Sequence, residues 1–136
     1  YMIPQGFGRI VNISSFAAVR TGFVGGVTYT TAKTGLLGLT RQLAYEVGQY
    51  GITVNALMPT GLLNPRVLRL RPDWVQGEGP HRAIHPEEEL GWIVAYLSHP
   101  AMTAISGAAI PVDRGMSSGI GDFAELKRRS GKDTGD

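Results

Sequence analysis

Two short apolar runs, separated by one long helical segment, constrain the fold of this chain more than any other feature. Residues 8–14 (GRIVNIS) and residues 52–58 (ITVNALM) are rich in β-branched side chains and contain a single charge between them, Arg9. Runs of this length and composition are typical of strands buried on both faces, which occur in parallel sheets covered by helices. The pattern therefore predicts an α/β fold with a parallel sheet and helices on both of its faces.

The segment between these strands predicts one amphipathic helix over residues 29–50. Gly51 follows it at the position where a glycine ends a helix. Residues 15–28 show no helical period, and we interpret them as a loop. The apolar residues of the helix recur at spacings of three and four, and we expect them to pack on the sheet: Leu36, Leu39, Leu43 and Val47.

The second half of the chain predicts a long loop, a helix and a third strand. Residues 59–85 combine four prolines with arginines and apolar side chains, so we expect a lid or substrate loop over about residues 62–85. Residues 108–112 predict a third strand, and Pro111 within it indicates an edge position. A helix is expected to open at Pro86, with an apolar stripe made of Leu90, Ile93, Val94 and Leu97.

Domain organisation is simple in this interpretation. We expect residues 1–118 to form one domain, or part of one, and residues 119–136 to form a polar tail.

Composition and charge argue against several classes of protein. The formal net charge is only +2 and the arginines are scattered, so we expect no nucleic-acid partner. No apolar run approaches the ~18 residues that a membrane helix needs, so we expect no membrane partner and, by default, a cytoplasmic location. The chain has no cysteine, and prolines flank His81 and His85, so we expect no metal site.

Tyr29 and Lys33 are the first candidates for chemistry. They are four residues apart on the predicted helix, so their side chains share one face. A nearby ammonium ion favours the phenolate form of a tyrosine, and such a tyrosine can donate a proton to a carbonyl oxygen and retrieve it from an alcohol. Taken alone, this spacing more often means a helical tyrosine beside a solvated lysine.

Ser15 lies at the end of the first predicted strand. Its hydroxyl could hydrogen-bond the oxygen that Tyr29 protonates and so hold a substrate in place. Ser14 is the alternative for the same role.

Four segments follow one another in one order along the chain. They are GRIVNISS at residues 8–15, YTTAK at 29–33, GITVNALMP at 51–59 and ISGAAIPVDRG at 105–115. Together they resemble the classical short-chain dehydrogenase/reductase family, and in particular its members similar to 3-oxoacyl-carrier-protein reductases. The resemblance covers roughly residues 2–117 and implies a Rossmann-like doubly wound parallel sheet.

The resemblance also implies an activity and a set of site residues. The protein would transfer a hydride between NAD or NADP and a carbonyl or secondary alcohol, and the choice of cofactor stays open. Ser15 would orient the substrate carbonyl, and Tyr29 would be the general acid/base. Lys33 would favour the phenolate of Tyr29 and bind the nicotinamide ribose. The implied cofactor-binding residues are Tyr29, Lys33, Pro59, Thr60, Gly61, Leu62 and Asn64.

Partners follow from the same resemblance. We expect a small-molecule carbonyl or alcohol substrate and a homodimer or homotetramer. A non-catalytic subunit or scaffold with the same fold is the alternative, although a scaffold would not need Ser15, Tyr29 and Lys33 together.

The chain departs from the family pattern at three places. Ser15 and Tyr29 are 14 residues apart where 13 is usual, and Ser14 would be 15 away, so Ser15 is favoured. Thr60 stands where the family has glycine, and Asn64 where it has threonine. Arg114 replaces a glycine in the usual Asp-Gly-Gly.

The resemblance places the family's glycine-rich phosphate turn upstream of Tyr1. We therefore expect the chain to be the C-terminal half of the fold and to have little activity alone. Gly22, Gly25 and Gly26 follow the first strand, but we expect no helix start there and hence no phosphate cradle.

Overall fold

The computed structural model describes residues 1–20, 25–70, 72 and 82–119. Its strands are β1 (Gly8–Ile13), β2 (Ile52–Pro59) and β3 (Ala109–Val112). Its α-helices are α1 (Met2–Gln5), α2 (Gly26–Val47), α3 (Pro65–Leu70) and α4 (Gly91–Ser98). His81, Gly22 and the predicted tail beyond residue 119 lie outside the described residues.

The three strands form one parallel sheet in the order β1-β2-β3. Ile13 pairs with Leu57, and Pro59 pairs with Val112, so the carboxyl ends of all three strands lie at one edge of the sheet. Within the described residues β3 is an edge strand, as Pro111 indicates. The predicted parallel α/β fold is confirmed, and the strand bounds differ from the expected ones by one residue.

Strand β2 is buried along its whole length, and its side chains alternate between two cores. Leu57 packs with Leu90, Leu97 and Val112 on one face of the sheet. Ala56 and Met58 pack with Leu37 of α2 on the other face. Because both faces are covered, the polar side chains of β2 are buried as well. Thr53 is 6% and Asn55 1% exposed, and the Asn55 side chain donates to the Ile105 carbonyl and accepts from the Ala108 amide.

Helix α2 differs from the sequence expectation in its start and in its buried face. It begins at Gly26 rather than Tyr29, so the prediction that no helix starts at these glycines is wrong. The residues that it buries are Leu37 and Thr40, whereas Leu39 of the predicted stripe is 52% exposed. Thr40 tolerates burial because its hydroxyl donates to the Leu36 carbonyl and accepts from Asn12.

The end of α2 matches the expectation. A single turn of 3-10 helix, Gly48–Tyr50, follows it, and Gly51 then adopts a left-handed conformation with φ 70°. A β-carbon on Gly51 would collide with the carbonyl oxygen of Gly6, so both the backbone angle and the space require glycine.

The expected long irregular loop contains helix α3, so that part of the prediction is wrong. Asn64 caps this helix: its Oδ1 accepts from the amides of Arg66 and Val67 at 2.9 and 3.0 Å. Pro65 occupies the first helical position, which suits proline because its missing amide hydrogen would have no partner there. An Asn-Pro pair is thus a helix start here, although prolines elsewhere in the segment indicated a loop.

The two ends of the predicted substrate loop are joined by backbone hydrogen bonds. The Ile84 amide donates to the Gly61 carbonyl, and the Leu63 amide donates to the Ile84 carbonyl, each at 2.8 Å. Leu62 and Ile84 form an isolated parallel bridge, and Ile84 is almost fully buried. The stretch between them therefore begins and ends at one fixed point beside the sheet.

Helix α4 packs on the face of the sheet opposite α2. A turn of π-helix, Pro86–Leu90, leads into it. The predicted stripe is confirmed, since Leu90 and Leu97 are buried and Ile93 and Val94 pack against them. None of the helices among the described residues has the length and apolarity needed to span a bilayer.

Candidate active site

The candidate site lies at the edge of the sheet where the strands end. The Ser14 amide extends the ladder beyond β1 by donating to the Leu57 carbonyl at 2.8 Å. The Thr60 amide does the same beyond β2, donating to the Val112 carbonyl at 3.2 Å. Carboxyl ends of parallel strands are the usual place for ligands in open α/β sheets.

Tyr29 and Lys33 occupy the first turns of α2. The Lys33 ammonium lies 5.7 Å from the centroid of the Tyr29 ring, so the predicted common face is confirmed. The same ammonium donates to the Ile13 carbonyl at 2.7 Å. Tyr29 is 44% exposed, so its phenol can be reached by a ligand while its lysine is tied to the sheet.

The two serines after β1 have different surroundings. Ser14 is only 2% exposed, and its hydroxyl donates to the backbone carbonyl of Lys33 at 2.7 Å. Ser15 is partly exposed, and its hydroxyl accepts from the Ala17 amide at 3.2 Å, capping a turn of 3-10 helix. Only Ser15 therefore keeps a hydroxyl within reach of a substrate, which favours it over Ser14 for the carbonyl-orienting role.

Among the hydrogen bonds of residues 1–20 and 25–70, none connects the hydroxyl of Ser15 with that of Tyr29. Both residues lie near the end of β1. Ser15 follows this strand by two residues, and Tyr29 is close to Lys33, whose ammonium donates to the Ile13 carbonyl at the strand end.

Residues after β2 already use several of the polar groups that a cofactor would need. Asn64 caps α3 with its Oδ1, and its amide nitrogen donates to the Leu62 carbonyl at 2.8 Å. The Gly61 carbonyl accepts from Ile84. The side chain of Asn64 is thus engaged within the protein, and its role in binding the cofactor stays a prediction.

Unlike the side chain of Asn64, that of Thr60 has no hydrogen-bond partner within the protein. Its Oγ1 is buried and has no hydrogen-bond partner, and it is the single side-chain polar atom in this state among the described residues. Leaving a buried hydroxyl unpaired costs about 1–3 kcal/mol, so such an atom is more readily explained as one that a bound molecule would satisfy.

An ion pair joins the end of β3 to the turn before α4. Arg114 contacts the Glu89 carboxylate at 2.6 Å, and the His85 amide donates to the same carboxylate at 2.9 Å. Burial alone would raise the pKa of Glu89, but the hydrogen bond from His85 and the charge of Arg114 outweigh it and hold this pKa below its ordinary value of 4.5. Arg82 adds a weaker contact at 4.0 Å.

Gly25 is a site residue that sequence reasoning missed. A β-carbon at this position would lie 2.7 Å from Cδ1 of the Tyr29 ring. The ring therefore rests against the backbone at the start of α2, and glycine makes that contact possible. Its position four residues before the tyrosine was the available signal.

A second missed feature is the spacing Gly-x-x-x-Gly-x-Gly at Gly115, Gly119 and Gly121. Glycine-rich turns after a strand can bind phosphate through backbone amides. Here, however, the two carboxylate oxygens of Asp113 accept from the amides of Gly115 and Ser117 at 3.0 and 2.9 Å. The buried carboxylate takes these donors and would repel an anion, so the described part of this turn does not fit a phosphate.

Comparison with known proteins shows that the chain is similar to reductases. A family model described as enoyl-(acyl carrier protein) reductase matches residues 1–117. The acetoacetyl-CoA reductase of Rhizobium meliloti is 39% identical over 119 residues, covering 84% of this chain and 48% of that protein. The 3-oxoacyl-[acyl-carrier-protein] reductase FabG of Pseudomonas aeruginosa is 37% identical over 119 residues, covering 85% and 47%. The chain thus spans about half the length of the curated relatives it matches.

Solved structures have the same architecture. A Brucella melitensis 3-oxoacyl-[acyl-carrier protein] reductase with bound NAD is 28% identical with a TM-score of 0.72, covering 84% of this chain and 42% of that chain. An actinorhodin polyketide ketoreductase with NADPH is 30% identical with a TM-score of 0.71, covering 87% and 50%. The parallel sheet with helices on both faces is therefore the Rossmann-like arrangement of these proteins.

Proposed function

The chain belongs to the short-chain dehydrogenase/reductase family, and from this membership we propose that the protein carrying it is an NAD(P)-dependent oxidoreductase. Its reaction would transfer a hydride between the nicotinamide cofactor and a small-molecule carbonyl or secondary alcohol. The observation that carries the proposal is the Lys33 ammonium 5.7 Å from the ring of a half-exposed Tyr29, beside the end of β1.

Tyr29 is the proposed general acid/base. In the direction of reduction its hydroxyl donates a proton to the substrate carbonyl oxygen, and in oxidation its phenolate takes the proton from the alcohol. The bond from the Lys33 ammonium to the Ile13 carbonyl holds this positive charge 5.7 Å from the centroid of the Tyr29 ring, where it would act on negative charge that develops on the phenol oxygen during the reaction. Ser15 would hydrogen-bond the same substrate oxygen and so hold it in line with Tyr29.

The residues present fit a nicotinamide cofactor in part. The cofactor would supply or accept the hydride. Residues 59–64 would lie along its nicotinamide end, and the unpaired hydroxyl of Thr60 offers a buried hydrogen-bonding group there. Lys33 would bind the ribose hydroxyls. Asn64 fits less well, because its side chain already caps α3.

Replacing the proposed acid/base tests this function directly. Tyr29→Phe in the intact protein should lower kcat by about 10²- to 10⁴-fold, the usual contribution of a positioned acid/base. Cofactor affinity, measured by nicotinamide fluorescence, should change little, because the lost hydroxyl acts on the substrate oxygen.

Tyr50→Phe is the matched control, because Tyr50 lies in the 3-10 turn that follows the same helix and is 39% exposed. Equal turnover in the two variants would contradict the role of Tyr29. Cofactor binding without turnover in the wild type would instead support the alternative, a non-catalytic subunit with the same fold.

Self-association belongs to the same proposal. Helix α2 exposes Leu39 and Tyr45, and α4 exposes Trp92 and Tyr96, which are large apolar surfaces for an isolated chain. We expect these two helices to pair with those of further copies, giving a homodimer or homotetramer. A light-scattering measurement that finds only monomer would contradict this proposed self-association. The cytoplasmic location stays a prediction.

A further inference from the structure

Ser14 links the end of β1 to α2 at the position of the catalytic pair. Its amide donates to the Leu57 carbonyl of β2 at 2.8 Å, so the backbone of Ser14 is held in the sheet. Its hydroxyl donates to the Lys33 carbonyl at 2.7 Å, and the residue is 2% exposed. Because both bonds come from one small residue, they restrict the distance between the end of β1 and α2.

Lys33 returns a second hydrogen bond to the same strand end. Its ammonium donates to the carbonyl of Ile13, the residue before Ser14, at 2.7 Å. Lys33 is therefore held at both ends, at its backbone carbonyl by Ser14 and at its ammonium by Ile13. Neither contact alone would define where the charge sits relative to the Tyr29 ring, since a lysine side chain has four rotatable bonds.

We propose that Ser14 is a positioning residue, which holds Lys33 and the helical turn bearing Tyr29 at a fixed offset from Ser15. The inference rests on the proposed function, because it assigns Ser14 a role in the proton transfer between Tyr29 and the substrate. Ser14 does not touch the substrate; it acts through the backbone of Lys33.

The alternative is that Ser14 merely attaches α2 to the sheet. Thr40, on the same helix, provides a reference within the protein for testing this alternative. Thr40 is fully buried on the same helix, seven residues beyond Lys33, and accepts from Asn12 of β1 at 2.9 Å. Seven residues correspond to about two helical turns, or roughly 10 Å. Thr40 thus joins the same two elements through a hydroxyl, but far from the catalytic pair.

The two hydroxyls also differ in what their removal leaves behind. The Lys33 carbonyl keeps its helical hydrogen bond when Ser14 becomes alanine, so no buried group is left unpaired. Thr40→Val leaves the Asn12 amide without its acceptor inside the protein. We therefore expect Thr40→Val to reduce thermal stability more than Ser14→Ala does.

The first test measures the proton exchange of the Lys33 ammonium and does not depend on catalysis. The chain contains three lysines, Lys33, Lys127 and Lys132, so ¹⁵N-detected ammonium signals can be assigned by substitution. In the wild type the Lys33 ammonium should exchange its protons slowly because it is hydrogen-bonded. In Ser14→Ala this exchange should become several times faster, while in Thr40→Val it should stay unchanged. An unchanged Lys33 signal in folded Ser14→Ala would overturn the proposal.

The second test measures kinetics on the intact protein. Ser14→Ala should lower kcat on the order of tenfold and leave KM for the carbonyl substrate within about twofold, because orientation rather than binding is lost. Thr40→Val should keep kcat despite its lower stability. Ser14→Cys, with similar size and a weak donor, covers the case that alanine prevents folding, and its kcat should fall between those of the wild type and Ser14→Ala.

The outcomes separate this inference from the function on which it rests. If Tyr29→Phe retains full turnover, the proposed function fails, and the ammonium measurement still decides whether Ser14 holds Lys33. If Tyr29→Phe is inactive but Ser14→Ala keeps the wild-type kcat, or loses no more than Thr40→Val, the positioning role of Ser14 is refuted.

Discussion

Arg114 and Glu89 form an ion pair in which one guanidinium nitrogen lies 2.6 Å from Oε2 and 2.5 Å from Oε1 of the carboxylate. Arg114 makes this contact from a left-handed backbone conformation, with φ 51°, the one non-glycine residue of this kind in the described part of the chain. Such a conformation costs a non-glycine residue about 1–2 kcal/mol. The ion pair and the backbone strain at Arg114 therefore oppose each other.

Substitutions of Arg114 should separate these two terms. Arg114→Ala loses the ion pair and keeps the strain, so we expect the free energy of unfolding to fall by about 1 kcal/mol. Arg114→Gly loses the same pair but relieves the strain, so it should be within about 0.5 kcal/mol of the wild type. Denaturant unfolding of both variants gives the comparison. Equal stability of the alanine and glycine variants would mean that the backbone at this position is not strained.

Acid should weaken the protein through Glu89. Although burial opposes it, the net effect of His85, Arg114 and Arg82 is a lowered pKa in the folded state. A lowered folded-state pKa stabilises the protein above the ordinary value of 4.5, and this stabilisation is lost as the pH falls through the folded-state pKa. Unfolding free energies measured from pH 7 down to pH 3 should therefore decline less steeply in Glu89→Gln than in the wild type. Parallel curves for the two proteins would show that Glu89 has no such role.

Gly25→Ala should disturb the active site more than the fold. The added methyl group would lie 2.7 Å from the Tyr29 ring, so the ring must move from its place beside Lys33. We expect kcat to fall by about 10- to 100-fold, because a misplaced acid/base loses its alignment. Gly38→Ala is the control within α2, since a β-carbon there meets nothing within 4 Å. A kcat in Gly25→Ala equal to that of the control would show that the ring tolerates displacement.

Thr60→Val should affect stability and cofactor binding in opposite directions. Valine has nearly the shape of threonine but no hydroxyl, so without cofactor the loss of the unpaired Oγ1 should raise the free energy of unfolding by about 1 kcal/mol. If the cofactor satisfies this hydroxyl, its affinity should fall about tenfold, which equilibrium fluorescence titration would measure. Unchanged affinity together with increased stability would assign the hydroxyl no ligand.

Much of the fold was predictable because its first two strands are predominantly apolar, and β2 is buried along its whole length. In the runs before Ser14 and Pro59, apolar residues occupy adjacent positions, as in residues 10–11 and 56–58, so both faces of these strands carry apolar side chains that need cover, and this pattern favours a layered parallel sheet. The buried face of α2 was not predictable in this way. Thr40 turns inward and Leu39 outward because Asn12 on β1 supplies a partner for the threonine, and that contact depends on tertiary structure.

The common face of the candidate pair, Tyr29 and Lys33, was predictable for a different reason. Tyr29 and Lys33 lie on one helix, so their spacing alone determines that they share a face. Ser14 and Ser15 are adjacent in sequence, and only the packing of α2 on β1 distinguishes the buried hydroxyl from the accessible one. The contact of Gly25 with Tyr29 depends on where α2 begins, and neither Gly25 nor Gly26 carries a side chain that would mark a helix start.

Because Leu62 and Ile84 are bridged, the residues between them can be regarded as one insertion with two fixed ends, here called the module. Its two ends are joined through backbone atoms of Gly61, Leu63 and Ile84, so the joint itself does not depend on which side chains the module carries. Doubling the length of such a closed stretch costs only about 0.6 kcal/mol of chain entropy. Stretches of other lengths and compositions could therefore be grafted between these two residues, and a change of substrate after such a graft would test the predicted role of residues 62–85 as a substrate loop.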